Sequence, residues 1–158
     1  MHTDRPETRT LTTQPTAVRR ALLHSDELSS WLPRAFGDVA VFLYRQGIAP
    51  KGYPFARYHP HSDGRVHVEA GFPVADPITG DSTVVPSSLP GGHVVAAWHN
   101  GPADQLRHAY HAITTWLTDQ DATPTGDAWE IYHDLPAHNP HHHRTEVVQP
   151  ITLTAARV

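Results

Sequence analysis

The chain has 158 residues, of which 39% are hydrophobic and 18% charged, with a formal net charge of -4 when histidine is counted neutral. That length suits one compact domain with its own core, and the acid excess leaves no basic stripe to neutralise phosphates, which argues against direct nucleic-acid binding. The absence of cysteine excludes disulfides, thiol nucleophiles and cysteine-ligated zinc.

No window is apolar for long enough to cross a bilayer, and the opening "MHTDRPETRTLTTQP" lacks the apolar stretch of a signal peptide, so the expected location is the cytoplasm. Residues 1–7 read as a disordered terminus. From Thr8 to Leu23, β-branched residues and the alternation in "AVRRALL" predict a strand. A helix follows, capped by Ser25 or Asp26, with Leu28, Trp31, Leu32, Ala35, Phe36, Val39, Phe42 and Leu43 near helical period. Pro33 predicts either a late helix start or a kink. "QGIAPKGYP" ends the helix, and "FARYHP" and "RVHVEAGFPV" read as strands joined by the turn former "HSDG".

Residues 75–91 have the Pro, Gly and Ser content of a connector, with a short strand at Val84 and Val85. The same order then returns. "GHVVAAWH" reads as a strand and "PADQLRHAYHAITTWLTDQ" as a helix with Leu106, Tyr110, Ile113, Trp116 and Leu117 on one face; "AWEIYH" and "TEVVQPI" read as strands.

Sliding the chain on itself by 74 residues brings Leu32 onto Leu106, Phe36 onto Tyr110, Phe42 onto Trp116, Gly52 onto Gly126, Phe55 onto Trp129 and Tyr58 onto Tyr132 without a gap. Three extra residues near "NPHHH" then bring Glu69 onto Glu146 and Pro73 onto Pro150. The matches fall at core-facing helix positions and turns. They predict an α+β fold built from a duplicated strand-helix-strand-strand unit: an antiparallel sheet, two main helices on one face, and a ligand cleft along the pseudo-twofold. The domain spans 8–152, with repeat one at about 8–74, a linker at about 75–91, repeat two at about 92–152 and a tail at 153–158.

Strand alternation puts Glu130 and Tyr132 on one face of "AWEIYH" and Trp129, Ile131 and His133 on the other. Two readings are open. Either Trp129 and Ile131 face the core beneath the helices while Glu130 and Tyr132 meet solvent, or the face of Glu130 and Tyr132 lines the groove, where a carboxylate beside aromatic rings suits a flat, cationic ligand. Glu146 stands alone among strand formers in "RTEVVQPI"; buried, it must meet Arg or Tyr, or await a ligand's positive charge. Its repeat-mate Glu69 in "HVEAGF" follows the same logic, with an edge-strand acid reaching water as the plain alternative for both. Tyr58 joins them as the counterpart of Tyr132.

The run "HNPHHHR" at 138–144 places three consecutive imidazoles that cannot share one side of a strand, so it reads as a solvated loop rather than a metal site. No metal or cofactor is expected. There is no G-x-S-x-G elbow and no phosphate loop; any catalysis is acid–base work by glutamate with tyrosine.

Taken together, "PFARYH", "RVHVEAGFPV", "LPGGHVVAAWHNGPADQLRHAYHAITTWL" and "AWEIYH … TEVVQPI" resemble the GyrI-like small-molecule-binding domain, also found as the effector-binding module of drug-responsive transcription activators. The likeness covers residues 8–152. It implies two strand-helix-strand-strand repeats with a ligand cleft between them. It also implies a glutamate in the last strand that faces cationic aromatic drugs, which by motif is Glu146, with Tyr132 and Trp129 as wall candidates. With no DNA-reading segment before the domain, the chain resembles the stand-alone members.

The expected function is therefore a cytoplasmic binder of small aromatic organic compounds, cationic ones included, acting in drug sequestration or ligand sensing. Two alternatives follow from the resemblance. One is a hydrolase that opens cyclopropane-type alkylating drugs, with Glu146 or Glu130 handling water and Tyr132 donating a hydrogen bond; the other is a protein inhibitor of DNA gyrase.

Overall fold

The computed structural model describes residues 2–3, 5–133 and 144–153. In chain order the strands are β1 (His2–Thr3), β2 (Glu7–Leu11), β3 (Gln14–His24), β4 (Phe55–Pro60), β5 (Arg65–Pro73), β6 (Val85–Leu89), β7 (Gly92–Asn100), β8 (Ala122–Pro124), β9 (Trp129–Tyr132) and β10 (Arg144–Leu153). The two α-helices are α1 (Leu28–Arg45) and α2 (Arg107–Gln120). The fold is α+β, and every strand pair is antiparallel. No helix among the described residues is long and apolar enough to cross a membrane. The chain divides into two compact units, Thr13–Pro90 and Met1–Thr12 with Gly91–Val158.

In the Thr13–Pro90 unit the sheet runs β4, β5, β3, β6. The helix α1 buries Trp31, Ala35, Val39, Phe42 and Leu43, whose three- and four-residue spacings make one stripe. That stripe packs with Ala17, Val74, Ile78 and Val84, and each large side chain so buried contributes about 1.5–3 kcal/mol. Pro33 sits inside α1 without ending it. The expected cap at Ser25 or Asp26 is replaced by a 3-10 turn over Ser25–Glu27, in which the Glu27 carboxylate accepts the His24 N–H at 2.9 Å. Gly71 is required by close approach: a Cβ there would lie 1.9 Å from the Ala17 carbonyl oxygen.

In the other unit β10 lies between β7 and β9, β8 pairs with the far end of β10, and α2 covers one face. Val95, Ala97, Val147 and Ile151 face Ala109 and Ile113 of α2, with Leu106, Tyr110, Trp116 and Leu117 around them. A 3-10 turn over Ala103–Gln105 precedes α2, so the regular helix starts later than its sequence suggests.

Both units follow the order strand, helix, strand, strand, and their hairpin registers correspond. Phe55 pairs with Gly71 and Tyr58 with Val68 in one; Trp129 pairs with Val148 and Tyr132 with Thr145 in the other. The boundaries read from sequence need correction at two places. The segment expected as one strand from residue 8 to 23 breaks after Leu11: β2 pairs with β7 and so joins the later unit, and β1, within residues expected to be disordered, does the same. The linker also holds a five-residue strand, β6, paired with β3.

Candidate functional site

Because β9 alternates, Glu130 and Val147, which are register partners, share the face beneath α2, while Ile131 and Glu146 share the opposite one. Glu130 is 9% exposed. Its two carboxylate oxygens accept one phenol each: Tyr110 of α2 donates to Oε2 at 2.5 Å and Tyr132 of β9 to Oε1 at 2.7 Å. Among the described residues no cation pairs with it. Burial raises its pKa above the ordinary carboxyl range, and the hydrogen bonds from Tyr110 and Tyr132 oppose that shift without cancelling it.

This placement reverses the plain reading of the strand. Trp129 and Ile131 do not lie under the helix; Glu130 and Tyr132 do. The reason is the hydroxyl of Tyr110, which gives a polar partner to an acid inside the helix-covered face and so offsets part of its desolvation. Tyr110 is the residue that sequence reasoning missed as a functional one. It was placed on the packing stripe of α2, and the available signal was its phenol at the position where the other repeat has Phe36.

Glu146 lies on the far face, 4% exposed, and is already neutralised. Arg9 of β2 forms a close charge contact with its Oε2, and His133 Nε2 stands 3.5 Å from Oε1, with the His133 ring 4.5 Å from that of Trp98. Proximity to Glu7 and Glu146 raises the Arg9 pKa against the desolvation that lowers it. Trp129, on the same face as Glu146, is 2% exposed. Of the two acids expected to work with Tyr132 in ring-opening hydrolysis, Glu146 projects to the opposite face of the sheet, whereas Glu130 accepts the Tyr132 hydroxyl at 2.7 Å.

In the Thr13–Pro90 unit, Glu69 is ion-paired with Arg20 at 2.6 Å and accepts the Ser87 hydroxyl at 2.9 Å. Tyr58 shares the face of its register partner Val68, the α1 face, opposite to Glu69. Within the later unit Glu130 and Tyr132 touch while Glu146 and Trp129 share the far face; within the Thr13–Pro90 unit Glu69 and Tyr58 lie on opposite faces of their sheet. The histidine run at 138–143 lies outside the described residues.

A cavity of about 560 Å³ opens between α2 and the sheet of the second unit. Tyr110, Ile113, Leu117, Ala128 and Val147 line it. Glu130 stands one hydrogen bond behind this wall, through Tyr110, and beside Val147. The volume falls within the range of pockets that enclose drug-sized molecules.

The family profile described as the GyrI-like small molecule binding domain matches residues 21–152, and the chain belongs to that family. No curated protein sequence matches it. Among solved structures, it is similar to EcmrR in a DNA complex, with TM-score 0.82 and 19% identity over 96% of this chain; it spans 58% of that one. The EcmrR C-terminal domain alone gives TM-score 0.80 and 19% identity over 98% of this chain and 100% of that domain. A hydrolase from Listeria innocua gives 0.66 and 14% over 94% and 92% of the two chains. SAV2435 bound to tetraphenylphosphonium gives 0.70 and 11% over 93% of each. At these identities the likenesses concern the fold.

Two stability predictions follow from the two acids. Arg9→Ala strands Glu146 without its guanidinium and is expected to lower unfolding free energy by about 2 kcal/mol, less than a fully buried pair because Arg9 is 33% exposed; Arg9→Leu with Glu146→Leu recovers most of it. Chemical denaturation of the three proteins checks this.

For Glu130 the folded pKa is raised, so the folded state holds its proton to higher pH than the unfolded state. Stability is therefore lost as pH rises from the ordinary carboxyl range through the folded value. Glu130→Gln removes that loss, and the Tm of the variant relative to wild type is expected to climb with pH across this window. A pH-independent difference contradicts the assignment.

Proposed function

We propose that this protein binds small aromatic organic cations in the cytoplasm and acts by sequestering or sensing them, with Glu130 as the anion that meets the ligand's charge. The observation that carries this reading is a carboxylate only 9% exposed, held by two phenols and no cation among the described residues, behind the wall of a cavity of drug-molecule size. Glu146 and Glu69 are weaker candidates because each already has an arginine.

The asymmetry between the repeats supports the choice. The positions corresponding to Tyr110, Glu130 and Tyr132 are Phe36, Ala56 and Tyr58, so the acid and the helix hydroxyl that serves it disappear together from the repeat without this cluster. A requirement of the scaffold would appear in both. An incoming cation replaces the Tyr110 hydroxyl at Oε2, the carboxylate ionises fully, and the aromatic rings of Tyr110 and Tyr132 supply faces for stacking. Membership in a small-molecule-binding family, and the tetraphenylphosphonium complex of SAV2435, point to the same ligand class.

The test is isothermal titration with tetraphenylphosphonium, beside tetraphenylborate, which has the same shape and the opposite charge. Wild type is expected to bind the cation saturably and to reject the anion. Glu130→Gln, which keeps the size and loses the charge, is expected to weaken binding about tenfold to a hundredfold, the equivalent of one charge-assisted contact. Equal affinity in wild type and variant, or no saturable binding of the cation, overturns the reading.

A further inference from the structure

Gln149 of β10 and Ala122 of β8 both line the cavity beneath α2. The corresponding positions of the Thr13–Pro90 unit are Phe72 and Ile48. Backbone pairing fixes that correspondence. Phe55 pairs with Gly71 where Trp129 pairs with Val148, and the Lys51 N–H bonds to the Pro73 carbonyl where the Thr125 N–H bonds to that of Pro150. Phe72 and Ile48 pack against the core of their unit, and the Phe72 ring meets Phe36 edge-on with centroids 6.3 Å apart. Phe36 holds the place of Tyr110. Where one unit packs an aromatic ring and an aliphatic side chain, the other has two walls of a cavity.

The Gln149 amide is tied back to the main chain. Its Nε2 donates to the Gly126 carbonyl at 2.9 Å and to the Pro150 carbonyl at 2.8 Å, which uses both of its hydrogens. What the amide has left is Oε1, an acceptor, and no donor among the described residues reaches it. The turn does not require this amide, because the same turn-to-strand bond forms in the other unit with Phe72 at that position. Gln149 lies two residues beyond Val147, the register partner of Glu130. Glu130 and Gln149 are therefore diagonal neighbours on the face beneath α2, about 7–8 Å apart along the main chain.

Resting on the reading that Glu130 anchors a cation, we propose that the ligand is a flat aromatic cation carrying an N–H donor at the end remote from its charge. Its ring takes the place that Phe72 fills in the other unit, with Tyr110 as the aromatic partner that Phe36 supplies there. Its N–H is accepted by Gln149 Oε1. Gln149 is then a specificity residue that selects aromatic cations with a hydrogen-bond donor, while Glu130 supplies the charge contact common to all of them.

Para-aminobenzamidine and para-(dimethylamino)benzamidine share one ring and one amidinium, and only the first has an N–H donor opposite the charge. In isothermal titration, wild type is expected to favour the amino compound about threefold to tenfold, the gain from one hydrogen bond. Gln149→Leu is expected to erase that preference. Because the preference is a ratio within one protein, a general loosening of the site does not imitate its loss. Glu130→Gln is expected to weaken both compounds alike. Gln149→Phe, the residue of the other unit, occupies the place of the ring and is expected to bind neither compound while its Tm stays at or above that of wild type.

No preference in wild type, a preference that survives Gln149→Leu, or a folded Gln149→Phe that still binds both compounds overturns this inference; weaker binding in Glu130→Gln then leaves the parent reading standing. Wild type that binds tetraphenylphosphonium and neither benzamidine likewise overturns this inference alone. Failure of all three compounds to bind overturns both.

Discussion

A carboxylate placed between a helix and a sheet is the constraint around which the Gly91–Val158 segment is organised. Removing a charged carboxylate from water costs several kcal/mol, and a protein limits that cost by pairing, by hydrogen bonding or by protonation. Glu130 has the second, from Tyr110 and Tyr132, and burial drives it toward the third. Such an arrangement leaves the carboxylate without a positive partner among the described residues, which is what the proposed cationic ligand would supply. Glu146 illustrates the opposite solution one strand away: buried to a similar degree, it is met by Arg9.

These two solutions also divide the labour of the sheet. On the far face Arg9 ties β2 to β10 across β7, securing a short N-terminal strand that has little apolar side chain to bury. On the α2 face the polar cluster sits at the edge of an otherwise apolar core of Val95, Ala97, Ile113, Val147 and Ile151. Replacing that cluster by apolar side chains would suit packing, as Phe36 and Ala56 show in the other repeat. Keeping that cluster is a cost in packing, which the proposed binding role would offset.

Much of the fold was legible in the sequence, because apolar spacing in α1 and α2 and the runs of strand formers in β5, β7 and β10 are local signals of burial. The strand pairing of β2 was not, since "ETRTL" has the same composition whether it extends β3 or crosses to β7; only the choice of partner edge decides, and that is a tertiary matter. The site was half legible. Glu130 and Tyr132 were singled out by type and spacing, yet the face they occupy depends on Tyr110, a residue twenty positions away on another element. For Glu146 the sequence allowed an arginine partner without saying which one: a pairing arginine in a polar N-terminal stretch, here Arg9, carries no sequence mark of its destination.

The central claim is that Glu130 exchanges its proton and its tyrosine for the charge of a ligand. The most direct measurement is the side-chain carboxyl ¹³C shift of Glu130, followed by NMR through a pH titration with and without saturating tetraphenylphosphonium. The account predicts a midpoint above the ordinary glutamate range in the free protein, falling when the cation binds. A midpoint that the bound cation leaves unchanged would contradict it, and would place the ligand away from this carboxylate.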